Sequence, residues 1–156
     1  MWAHPYTLCF GRRGRPRLLC MPTMDLPFPI RQECPPGACD CERERLLAEP
    51  GADLRILRLT RDEEKRLIQR IEAADSLAEL RRLGGKMEAL LGLVVRFAPG
   101  PNEVRTVRGI VIDVQACPGL CRKTRQTIPA AIRRCLDARP EIVYELLNEH
   151  DLLRDA

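Results

Sequence analysis

Residues 53–91 read DLRILRLTRDEEKRLIQRIEAADSLAELRRLGGKMEALL, and the fold class turns on them. Leu54, Ile56, Leu57 and Leu59 interleave with Arg55 and Arg58, a pattern that predicts a first strand. Thr60 and Glu63 then stand at capping-box spacing, in which each side chain satisfies an orphan amide at a helix start. Leu67, Ile68 and Ile71 mark the apolar face of that helix. Ser76 and Glu79 repeat the capping pattern, and Leu77, Leu80, Leu83, Met87, Leu90 and Leu91 continue at helical spacing. Gly84 and Gly85 interrupt this second helix at about 1 kcal/mol each relative to Ala, which marks a kink or a close packing.

Downstream, Leu93 to Phe97 and Val104 to Val114 read as a hairpin around a Pro99-Gly100-Pro101-Asn102 turn. Ile110, Ile112 and Val114 fall on one face of its second strand, Val107 and Val111 on the other. Pro118-Gly119 breaks the chain. A helix capped by Thr124 or Thr127 runs to about Asp137. Pro140 opens a last helix with Ile142, Val143, Leu146, Leu147 and Leu153 as its apolar positions. The order is strand, helix, helix, strand, strand, helix, helix. It predicts an α+β domain over 53–156, with a small three-stranded sheet and helices packed mainly on one face.

Upstream, residues 25–52 form a Pro/Cys-rich loop segment punctuated by Pro27, Pro29, Pro35, Pro36 and Gly37, with a short helix from about Glu42 to Ala48. Residues 1–24 are read as a basic tail that is disordered or mis-assigned, with Met24 as an alternative start. A transit peptide is a third option, set against the lack of an amphipathic period.

Composition narrows the function classes. Aromatics are 4% of the 156 residues, so the core is aliphatic and stacking platforms for single-stranded nucleic acid are lacking. The net charge of +4 belongs to the tail, because Arg12, Arg13, Arg15 and Arg17 stand there without an acid. Setting those four aside leaves 22 of the 26 basic residues against 22 acidic ones, so pI alone does not argue for nucleic acid. No apolar run reaches the roughly 20 residues of a membrane helix, and no apolar leader of about 7–15 residues follows the first arginines. The expected location is cytoplasmic. There the eight cysteines are expected to be free thiols or metal ligands rather than disulfides.

Cys9 and Cys20 lie in the tail. Cys135 shares a helical face with Ile128, Ile132 and Leu136, the place of a small buried hydrophobe. The other five cysteines fall in two loops: Cys34, Cys39 and Cys41 in one, Cys117 and Cys121 in the other. Loops rich in Pro and Gly hold thiolates convergently and leave amides free to donate to sulfur, the arrangement of zinc and iron–sulfur sites. Three thiolates from the first loop and one from the second make a four-sulfur set, with Cys34, Cys39, Cys41 and Cys121 as the expected ligands and Cys117 as the competing fourth. Cys39 and Cys41 both ligate only where their stretch is extended or turned. A helix beginning near Glu42 would favour ionisation of Cys39 or Cys41. Against the set stand the acidic neighbours Glu33, Asp40 and Glu42 and the absence of any Cys-x-x-Cys pair.

Arg122, Lys123, Arg125, Arg133 and Arg134 make the segment 122–134 basic, and Arg122, Lys123 and Arg125 are candidate contacts for an anion or nucleic acid. The last helix opposes DNA with Glu141, Glu145, Glu149 and Asp151. His4 lies in the tail, and His150 suits the C-terminal end of a helix. No triad, phosphate-binding glycine loop or His-Glu-x-x-His pattern is present, so enzyme activity is the least supported class. The expectation is an accessory or regulatory protein that holds an iron–sulfur cluster or zinc and acts through a protein partner. The alternatives are a cofactor-free interaction module using the basic segment and a thiol-based redox protein.

Overall fold

The computed structural model describes residues 27–101 and 107–150. The basic tail with His4, Cys9 and Cys20 lies outside them, as do Val104 and Leu153. Five helices and one hairpin make up the described chain: α1 (Arg43–Ala48), α2 (Arg61–Ala73), α3 (Leu77–Leu91), β1 (Val95–Pro99), β2 (Ile110–Val114), α4 (Arg122–Ala138) and α5 (Pro140–Glu149). The class is α+β.

Thr60 and Ser76 cap as their spacing foretells: Thr60 Oγ1 accepts from the Glu63 amide at 3.4 Å and Ser76 Oγ from the Glu79 amide at 3.2 Å. The return bond at the second cap reaches one residue further out, from the Asp75 amide to Glu79 Oε2. α3 runs unbroken through Gly84 and Gly85 and ends at Gly92, whose φ of 67° lets its own amide and that of Leu93 return to the carbonyls of Glu88 and Met87. Pro140 is in the first turn of α5, and at its far end His150 Nδ1 donates to the Leu146 carbonyl at 2.9 Å.

The sheet has two strands among the described residues, not three. β1 and β2 are antiparallel, with Val95 opposite Val114, Phe97 opposite Ile112 and Pro99 opposite Ile110. The expected third strand is a 3-10 turn at Arg55–Arg58. Two causes are visible. Asp53 Oδ1 accepts from the Arg55 amide and starts a turn. Ile56 and Leu57 are neighbours in sequence and both buried, which a strand would send to opposite faces. Residues 107–109 are likewise a 3-10 turn, so β2 begins only at Ile110.

Inward-facing Val95, Phe97, Ile110, Ile112 and Val114 join a core built from Leu57, Ile71, Leu80, Ile128, Leu136 and Leu146. α2 packs on α4 and α4 on β2, while α3 packs on the Arg55–Arg58 turn, β1 and α5. Arg134 pairs with Glu72, and Arg139 with Asp75, across the α2–α4 seam. The proline-rich segment docks on this body: the Arg31 amide donates to the Leu57 carbonyl at 2.7 Å, and Ile30 packs against the core. Among the described residues no helix is long and apolar enough to cross a membrane.

Candidate metal centre

Two loops meet at the start of α4. Pro35 accepts from Ala38 at 3.0 Å, a tight turn that folds Cys34 back toward Cys39. Glu42, a non-glycine residue with φ 48°, caps the start of α1, and Cys41 just before it is buried. The second loop turns at Pro118-Gly119, where the Leu120 amide donates to the Cys117 carbonyl and Gly119 takes φ 85°. The Gly119 amide donates to the Cys41 carbonyl at 3.0 Å and closes one loop against the other.

The result is a convergence of four sulfurs. Those of Cys34, Cys39, Cys41 and Cys121 all lie within 4.8 Å of one another. Cys34 Sγ is 3.4 Å from Cys121 Sγ and 4.0 Å from Cys41 Sγ. Cys41 and Cys121 are buried, and Cys34 and Cys39 are half-buried. A cleft of about 520 Å³, lined in part by Cys34, Cys39, Cys121, Lys123 and Thr124, offers a route in from solvent.

Cys117, the competing fourth ligand, is not in this group. It sits on the other side of the Pro118-Gly119 turn, packed against the core beside Leu46 and Ile56. Cys135 is fully buried and its thiol donates to the Ala74 carbonyl, the hydrophobe's role that its helical face foretells. Arg122, Lys123 and Arg125 are exposed around the first turn of α4, next to the sulfurs, and make no ion pair with a described residue. Glu33, Asp40 and Glu42 point to water, so the negative charges that argue against a thiolate set lie outside it.

α4 begins earlier than its threonines suggest. Cys121, not Thr124 or Thr127, occupies the capping position, and it makes no side-chain cap bond. The free Arg122 amide is turned to Cys39 Sγ at 3.4 Å instead. Burial works against the Cys39 thiolate, yet the Arg122 amide, with smaller help from Cys41 and Cys121, outweighs it and brings this thiol down to about 7. At Cys41 burial dominates and the thiol is raised, although the amide of Arg43 at the start of α1 pulls the other way. Burial pushes Cys121 far up as well, with the Cys34 contact adding to it, and burial also raises Cys117 and Cys135.

This spread of acidities predicts one fast thiol. In the reduced, metal-free protein near neutral pH, Cys39 alkylates at least about tenfold faster than Cys41, Cys121 or Cys135, because only a thiolate attacks. Its rate rises as pH climbs through about 7, where the thiol loses its proton. Mass-spectrometric mapping of timed alkylation reads this out, and equal rates at Cys39 and Cys135 would refute it.

Comparison with known protein families, with curated proteins and with solved structures finds no match to this chain. The functional reading therefore rests on the site itself.

One participant had no signature in the sequence. Arg31 is buried beneath the sulfurs and its Nη2 donates to Cys41 Sγ at 3.4 Å. A single arginine in a proline-rich loop looks like any exposed one. Only the docking of that loop distinguishes it.

Proposed function

We propose that this chain is a metal-binding accessory or regulatory protein in which one zinc ion, held by Cys34, Cys39, Cys41 and Cys121, pins the proline-rich segment to the loop ahead of α4. The observation that carries the reading is the approach of those four sulfurs to within 4.8 Å of one another. Zn–S bonds of about 2.3 Å set tetrahedral sulfurs about 3.8 Å apart. The separations of 3.4 and 4.0 Å straddle that value. A four-iron cluster needs its cysteines several ångströms wider, so the spacing favours a single ion over an iron–sulfur cluster. An all-sulfur set suits a borderline-soft ion. Four protein ligands leave no open position, the pattern of a structural zinc rather than a catalytic one. The ion's binding free energy then goes into docking the segment. A protein partner is the expected target, and the exposed Arg122, Lys123 and Arg125 would present positive charge to it.

Anaerobic purification followed by metal analysis tests the reading. One zinc per chain and a colourless solution are expected. Cobalt substitution is expected to give the intense visible bands of a tetrahedral thiolate site. A folded, fully reduced protein that takes up neither ion would end the proposal, and visible colour with acid-labile sulfide would replace zinc by a cluster.

A further inference from the structure

Arg31 is only 7% exposed. Its Nη2 bridges the two loops, donating to the Gly119 carbonyl at 2.9 Å as well as to Cys41 Sγ. Its backbone is fixed on both sides: the amide donates to Leu57, and the carbonyl accepts from Arg43 Nε at 3.1 Å. Yet Nε and Nη1 are buried with no hydrogen-bond partner among the described residues. No ion pair among the described residues includes Arg31.

A guanidinium does not deprotonate in a protein, and a buried charge is strongly disfavoured unless an opposite charge meets it. The acidic residues that flank the cysteines, Glu33, Asp40 and Glu42, are exposed. What lies against Arg31 is sulfur. A divalent ion held by four thiolates carries two surplus negative charges, which supplies the missing counter-charge.

Resting on the metal-centre reading, we infer that Arg31 is the counter-ion of the loaded site. Arg31 offsets one of the two surplus charges from the buried side, while the Arg122 amide donates at Cys39 from the other. Arg31 is thus a positioning residue that never touches the ion, and it sets how tightly and with how many sulfurs the ion is held.

Arg31→Gln keeps a donor for the Gly119 carbonyl and removes the charge, while Arg31→Lys keeps the charge. Zinc alone is the probe, its affinity read by competition with a chelator. Cobalt spectra report the number of bound thiolates. Arg31→Gln is expected to bind zinc about 10–100-fold more weakly, the usual range for a supporting residue around a metal, with a smaller thiolate-to-cobalt band. Arg31→Lys is expected to recover most of both. Affinity in Arg31→Gln within about twofold of the parent, or equal losses in both variants, would overturn the inference and leave the metal centre standing. Should Arg31→Gln not fold with zinc present, Arg31→Lys decides: near-parent affinity supports the inference, and a loss of about tenfold or more overturns it. A parent protein that takes up no zinc removes the centre itself, a different result from any of these.

Discussion

Chelating zinc from the proposed site of the reduced protein is expected to lower the melting temperature by about 8–16 °C and to free residues 31–41 to exchange their amides. The size follows from mass action. An ion at about a thousand times its dissociation constant adds about 4 kcal/mol to the folded state, and each kcal/mol shifts a domain of this length by about 2–4 °C. The effect localises because the segment carrying Cys34, Cys39 and Cys41 is otherwise tied down by few bonds. Arg31 to Leu57, Gly119 to Cys41 and the Arg31 side chain are the chief ones. Cys121→Ser is expected to abolish the zinc-dependent gain. The gain also shrinks on acidification from about pH 8 to about pH 6. Zinc must displace protons from Cys41 and Cys121, whose thiols are raised, so protons compete better as pH falls. Calorimetry and hydrogen exchange with and without chelator, in reductant throughout, measure this. Identical melting in both conditions would contradict it.

Gly119→Ala is expected to cost about 2–5 kcal/mol and to weaken zinc binding, while Gly37→Ala is expected to cost about 1–2 kcal/mol and to leave binding in place. Both glycines have positive φ, 85° and 75°, and share the strain of a left-handed alanine, about 1–2 kcal/mol. They differ in what a Cβ would meet. At Gly119 it would come within 2.7 Å of both Ile56 Cγ2 and Leu46 Cδ2. These buried side chains cannot yield without disturbing the core, which adds about 1–3 kcal/mol. Any shift also breaks the Gly119 amide bond to Cys41 and its carbonyl bond to Arg31, moving Cys121 off the other three sulfurs. At Gly37 nothing lies within 4 Å. Denaturant melts and chelator competition on the two variants decide the matter, and equal losses in both would refute the account.

Much of this was legible in the sequence, and the failures have causes. Thr60 and Ser76 announce α2 and α3 because capping is local chemistry within one turn. The Arg55–Arg58 stretch misleads because alternation with arginine looks like a strand, while the Asp53 side chain and the joint burial of Ile56 and Leu57 demand a turn. Residues 107–109 mislead because valine content reads as strand, whereas they form a 3-10 turn. The start of α4 was hidden because Cys121 is no ordinary cap and the acceptor for its first amide, Cys39, lies 83 positions away. The sequence reading favoured Cys34, Cys39, Cys41 and Cys121, the four that converge, but kept Cys117 as a competing fourth. That choice is made by the Pro118-Gly119 turn, which sets the two on opposite sides. Arg31 stayed invisible because burial of a charge is a tertiary fact.

The Cys34–Cys121 contact spans 87 positions. During synthesis the ribosome therefore releases Cys34, Cys39 and Cys41 together, and the fourth donor emerges only after α2, α3 and the hairpin have left the tunnel. On the metal-centre reading, an ion met early would find three thiols and water. Its coordination shell would close only when the body has assembled well enough to present Cys121, so a filled shell would certify a finished fold.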